Sequence, residues 1–178
     1  MFRRILTVVM LIAIACSFLS EWPASAETPQ DAEAVQFNTG DERIGGLRLG
    51  MPEKGVHANI ACKPKKSKEV LEAATGEYIQ MWKYSGCGIE LKMSSGRKGG
   101  SKTVASITVS SSGNLVTGRG IRIGSTEAEV LEAYGRYREE DGGSEEGKRF
   151  VAGSIYDGMI FDLEDGRVVG IFLGAAAE

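Results

Sequence analysis

An eleven-residue stretch occurs twice in this chain, and that constrains its fold more than any other feature. Gly46-Leu-Arg-Leu-Gly-Met-Pro-Glu-Lys-Gly-Val56 aligns without a gap on Gly120-Ile-Arg-Ile-Gly-Ser-Thr-Glu-Ala-Glu-Val130, 74 positions later. The two glycines, the arginine, the glutamate and the closing valine are identical. Further on, Tyr84-Ser-Gly-Cys-Gly-Ile-Glu-Leu91 matches Tyr156-Asp-Gly-Met-Ile-Phe-Asp-Leu163, and Val104–Val109 matches Val168–Leu173 in apolar character. Three matches in the same order point to an internal repeat, with one copy over 44–118 and the other over 119–178. The alternative is chance resemblance between Gly-rich strands.

Each copy opens on a Gly-flanked turn that leads into a helix. In the second, Thr126 and Glu129 have capping-box spacing, Val130, Leu131 and Tyr134 form an apolar stripe, and Gly135 stands where a C-terminal cap belongs, which predicts a helix over 126–134. In the first, Pro52 suits a first helical turn, and Ser67–Ala74, ending at Gly76, reads as a second short helix. The rest is strand. Ile89, Leu91 and Met93 alternate with polar residues, as do Ala105, Ile107 and Val109. Residues 159–173 read as strand, Asp165-Gly166 turn and strand. With Tyr78–Lys83 and Lys148–Ile155 as preceding strands, the expected class is α+β: two tandem repeats, each of short helices followed by a three- or four-stranded antiparallel sheet.

The N-terminus carries a different signal. Arg3 and Arg4 precede an apolar run from Ile5 to Leu19, too short to span a bilayer comfortably, and Ala24-Ser25-Ala26 offers small residues for cleavage. Residues 1–26 therefore read as a secretory signal peptide, and the mature chain begins at Glu27. A membrane anchor is one rival. Lipoprotein processing at Cys16, where Ala13-Ile14-Ala15-Cys16 is a degenerate lipobox, is another. Residues 27–43 are polar and acidic, carry Pro29 and read as a flexible leader. No segment after the leader is apolar for long enough to cross a membrane as a helix. In an exported chain the remaining pair, Cys62 and Cys87, points to a disulfide, with two buried free thiols as the alternative.

The order Gly-Leu-Arg-Leu-Gly-Met-Pro into a helix, then Trp82-Lys-Tyr-Ser-Gly-Cys-Gly-Ile-Glu-Leu91, then a Val-rich strand resembles the repeat of the β-lactamase-inhibitory-protein-like superfamily. Its single-repeat relatives include the outer-membrane assembly lipoprotein family. The resemblance covers about residues 44–174. It implies tandem helix-plus-sheet units forming one curved sheet, and in some members a disulfide tying the helical segment to a nearby strand, places that Cys62 and Cys87 occupy. Met159 stands opposite Cys87 in the second copy, so the second bridge that some members have is absent. For the inhibitor itself the resemblance implies an aromatic sheet surface that grips a protein. Here that surface draws on Trp82, Tyr84 and Tyr156, with Tyr78 and Tyr137 as further aromatics.

Chemistry is sparse. His57 is the single histidine, so neither a nucleophile with two partners nor a His-based zinc site can be assembled, and no cofactor or metal is expected. The stretch 139–147 is acidic and Gly-rich but lacks the ligand spacing of an EF-hand, and Gly96–Gly100 is a hairpin tip and not a phosphate loop. Charge is ordered. Residues 44–118 hold eleven Lys or Arg against five acids, and 119–178 hold seven against thirteen. Lys63, Lys65, Lys66 and Lys68, with Arg97, Lys98 and Lys102 on the hairpin tip, form a basic patch suited to an acidic protein, with anionic lipid or polysaccharide as further partners. Ordinary solvated lysines, or attraction between the two halves, is the alternative. An exported, net acidic chain without interleaved aromatic and basic residues is unsuited to nucleic acid. The expected function is a non-enzymatic, inhibitor-like protein-binding module, periplasmic or secreted. The alternative is a structural or assembly accessory of the envelope, including a lipoprotein.

Overall fold

The structure, a computed structural model, describes residues 36–139 and 143–177. The expected signal peptide, with Cys16, and leader residues 27–35 lie outside the described residues. Two α-helices, α1 (Glu53–Asn59) and α2 (Glu127–Tyr134), accompany strands β1 (Lys65–Lys66), β2 (Val70–Leu71), β3 (Tyr78–Tyr84), β4 (Ile89–Ser95), β5 (Thr103–Val109), β6 (Arg149–Gly153), β7 (Gly158–Glu164) and β8 (Arg167–Gly174). All eight strands belong to one antiparallel sheet in the order β1-β3-β4-β5-β8-β7-β6, with β2 also paired to β3. The class is α+β with a single sheet.

Alternation along the strands builds the core. Trp82, Leu91, Ile107, Leu173, Met159 and Ala152 are successive cross-strand neighbours from β3 to β6, and Tyr84, Ile89, Val109, Ile171, Phe161 and Phe150 form a second such row. Every one of these side chains is buried. Both helices pack on this face: His57 of α1 stacks on Trp82 with ring centroids 5.3 Å apart, and Tyr134 of α2 meets Phe161 at 5.0 Å. Full burial of such side chains contributes about 1.5–3 kcal/mol each, so the two rows and the helices above them are the main source of stability. The opposite face carries Lys83, Glu90, Thr108, Phe172, Ile160 and Val151 in one row.

The turns that precede the helices are fastened to strands. Gly50 N–H donates to Val104 C=O at 2.8 Å, Val104 N–H to Met51 C=O at 3.0 Å, and Glu53 N–H to Lys102 C=O at 3.2 Å. Ahead of α2, Gly124 N–H donates to Val168 C=O at 2.8 Å, Val168 N–H to Ser125 C=O at 2.8 Å, and Glu127 N–H to Gly166 C=O at 3.0 Å. The capping box of α2 forms as the sequence predicts: Thr126 Oγ1 accepts from Glu129 N–H, and the Glu129 carboxylate accepts from Thr126 N–H. The α1 N-cap is Pro52, which offers no side-chain acceptor. Asp165-Gly166 makes the expected two-residue hairpin loop between β7 and β8, and both residues have positive φ, as a type I′ turn requires.

Two expectations are corrected. The stretch Ser67–Ala74 is not a helix; residues 65–71 run as broken edge strand along β3. Ser67 N–H donates to Met81 C=O at 2.9 Å, its hydroxyl accepts from Met81 N–H at 3.0 Å, and Glu72 N–H donates to Glu77 C=O at 2.8 Å. Pairing with a long, anchored neighbour satisfies more backbone than one isolated helical turn could, and tertiary context overrides local propensity. Gly76, read as a helix stop, takes its positive φ in the turn between β2 and β3. The leader, expected to be flexible through residue 43, is packed from Phe37 onward. The Phe37 ring lies 5.4 Å from that of Tyr137 and 6.4 Å from that of Tyr134. Thr39 Oγ1 donates to the Asp157 carboxylate at 2.6 Å, and the buried Glu42 accepts from Arg119 Nε at 2.9 Å and from the Tyr134 hydroxyl at 3.2 Å. No helix among the described residues is long and apolar enough to cross a membrane.

Candidate functional site

Cys62 and Cys87 are joined in a disulfide with Cα atoms 6.3 Å apart, tying the chain after α1 to the turn between β3 and β4. Gly88, directly after that turn, has φ of 62°, and a Cβ there would lie 2.3 Å from the backbone nitrogen of Gly113, so glycine is required twice over. The bridge fixes where residues 62–68 leave the core.

Of the aromatic residues expected on a partner surface, Trp82 and Tyr84 are instead core. Both are fully buried on the face that the helices cover. The Trp82 indole N–H donates to Gln80 Oε1 at 2.8 Å, and Lys66 Nζ stands 3.5 Å from the ring centroid. The Tyr84 hydroxyl has no hydrogen-bond partner among the described residues, and burial pushes its pKa up to about 12. The alternation of β3 sends its large aromatics inward, where their area is worth most. Tyr156 is exposed, but it sits on the loop between β6 and β7, at the opposite end of the strand order from β1. The three aromatics do not form one surface.

The basic residues do gather. Lys63, Lys65, Lys66 and Lys68 are exposed along the β1 edge, and Arg97 and Lys98 are exposed on the tip between β4 and β5. What connects the two is Glu69: its carboxylate pairs with Lys102 Nζ at 2.8 Å and accepts from Gly99 N–H at 2.8 Å. The ammonium of Lys102, then the Gly99 N–H, hold this carboxyl below its ordinary pKa. Glu72 pairs with Lys92 Nζ at 2.8 Å and accepts from Thr75, and its carboxyl is likewise lowered, first by Lys92. Lys102, expected in the outer patch, is therefore a buried member of a tie. The two acids of the segment are engaged in internal pairs, Lys66 reaches back over Trp82, and Lys65 and Lys68 are exposed.

Val70 and Leu71, on this same edge, are 59% and 58% exposed. Sequence reasoning missed them because it assigned 67–74 to a helix; the signal that could have found them is the apolar pair set among Lys, Glu and Ser without helical spacing. On the opposite face of the sheet, the Lys83–Glu90 pair at 2.9 Å borders an open cleft of about 360 Å³ that Thr108 and Ser110 also line. His57 is exposed apart from its stacking on Trp82, and the described residues hold no group of three or more His, Cys, Asp or Glu able to bind a metal. Comparison with family models, with curated proteins and with solved structures finds no match for this chain.

Proposed function

We propose that this chain is an exported, non-enzymatic protein-binding module of the cell envelope or extracellular space, with an inhibitor-like mode of action, built from two tandem helix-plus-sheet units of the kind its sequence resembles. The observation that carries the reading is where the two helices sit on the sheet. Both lie on the face of Trp82 and Phe161, which leaves the part of the other face around Lys83, Glu90 and Thr108, its rim loops and the lysine edge to meet a partner, while Ile160 and Val151 farther along that face are buried.

Support for the tandem units comes from the matching ties of Gly50, Met51 and Glu53 to β5 and of Gly124, Ser125 and Glu127 to β8. The register also shifts at matching places, between Lys92 and Met93 against β5 and between Asp162 and Leu163 against β8. Those bulges make Met93 correspond to Leu163, which moves the alignment of β4 on β7 by two residues and takes Tyr84 and Tyr156 out of correspondence. Export is supported by the Cys62–Cys87 disulfide, since such bridges persist in oxidising compartments.

The test is affinity capture from the source's envelope fraction with the oxidised chain as bait and Cys62→Ser as control. One protein recovered repeatedly by the oxidised form, and lost with the control, identifies the target. Recovery of lipid or murein components alone would replace this reading by that of an envelope assembly accessory.

A further inference from the structure

The two edges of the sheet are finished in different ways. Outside β6, Arg138 bridges Ala152, Glu139 N–H donates to Val151 C=O at 3.0 Å, Ser144 Oγ accepts from Val151 N–H, and Glu145 bridges Arg149. That edge is closed by the chain's own residues. Outside β1 and β2 there is no such cover: among the described residues, the backbone-to-backbone hydrogen bonds of the 65–71 segment all run inward to β3, and the Lys68 C=O accepts from the neighbouring Ser67 hydroxyl. An open edge presents alternate N–H and C=O groups to any strand that can reach it.

Charge decides which strand can. Lys65 and Lys68 are exposed and make no salt bridge among the described residues, Arg97 and Lys98 are exposed on the adjoining tip, and Glu69 and Glu72 are turned inward to Lys102 and Lys92. Two copies of this edge would set lysine against lysine, so the same residues that invite an acidic strand repel self-pairing. Val70 and Leu71, adjacent in an extended strand, project to opposite faces of the sheet, and each is more than half exposed. An added strand would cover both.

We infer that the outer edge of β1 and β2 accepts an extended segment of a partner protein, acidic residues alternating with apolar ones, which joins the sheet as an added strand. This rests on the protein-binding reading and names its site and the chemistry of its partner. Main-chain hydrogen bonds supply the attachment, whichever of Val70 and Leu71 lies on the segment's apolar face supplies the apolar contact, and the lysines supply the selection.

The probe is a short end-blocked peptide of alternating Glu and Val, added to the 15N-labelled oxidised protein. The expected result is a set of amide shifts confined to residues 65–72 and 97–99, with slowed hydrogen exchange on 65–71. The Lys/Val peptide should produce none. A Glu/Pro peptide keeps the charge but lacks half of the N–H donors, and should bind about tenfold more weakly. Lys65→Glu with Lys68→Glu, chosen because neither packs on Trp82, should weaken the Glu/Val peptide about tenfold while leaving the β7 and β8 amides unmoved. Equal binding of Glu/Val and Glu/Pro peptides, or shifts lying elsewhere, overturns the strand-addition site. A natural partner captured equally well by wild type and by this variant also overturns it, and leaves the binding-module reading standing.

Discussion

In the first half of the chain a covalent bridge, Cys62–Cys87, fastens the segment after α1 to the sheet, whereas in the second half the corresponding work falls to polar and aromatic contacts. There Arg119 lies between Tyr134 and Tyr137, with its guanidinium carbon 5.3 and 4.8 Å from their ring centroids, and pairs with the buried Glu42; Phe37 packs on the same two rings. Among the described residues, only the first half carries an open sheet edge. A bridge that shortens the unfolded chain's excursions holds position without covering surface, so the disulfide-tied end can remain accessible. The second half gains its rigidity from residues 36–44, 138–139 and 143–145 packing over it, which closes its edge.

The largest test of this contrast is Trp82→Ala. If Trp82 belongs to the core of the first half and not to a partner surface, the substitution costs about 4 kcal/mol in denaturant unfolding. A loss near that of an exposed site would return it to the surface. Next, replacing both cysteines by serine should cost about 3 kcal/mol, with amide exchange rising first in β1–β4 and later in β6–β8. A uniform rise would mean that the bridge does not act on one end. Third, Glu42→Ala should cost about 2 kcal/mol, since it leaves Arg119 and the Tyr134 hydroxyl without their acceptor, and here exchange should rise around α2 and Phe37.

The smallest effect concerns pH. The Glu69 carboxyl is lowered in the folded state from its ordinary value of 4.5, so the unfolded chain takes up the proton first as pH falls. Its contribution is therefore complete above that ordinary value and is lost as pH drops through the lower folded pKa. Exchange protection of the Gly99 amide, which donates to Glu69, should fall over that acid window while the Phe161 amide stays protected. Glu69→Gln should make the Gly99 signal insensitive to pH in that range.

Much of the second half was legible. Asp165-Gly166 between two apolar runs is a local signal with one good solution, and Thr126 with Glu129 is another, and both are found in place. In the first half, alternation at Ile89, Leu91 and Met93 also matches β4 and its inward face. The first half was read less well. Ser67–Ala74 has acceptable helix caps and residues, and only the presence of β3 beside it makes the strand preferable. Of the expected basic patch, Lys63, Lys65, Lys66, Lys68, Arg97 and Lys98 are exposed, whereas Lys102 is buried against Glu69, a pairing that no local window of sequence contains.

What the sequence by itself determined is what depends on neighbours a few positions away: the turns, the helix cap, the strand period and the even cysteine pair. The tertiary structure alone decided the strand order, the inward aim of Trp82 and Tyr84, the docking of Phe37 and Glu42, and the difference between a closed and an open edge. These depend on residues brought together across long stretches of chain, as Glu42 meets Arg119 and β5 meets β8. Such pairings offset the entropy of closing the intervening loops only when many form at once, so no local window of sequence contains them.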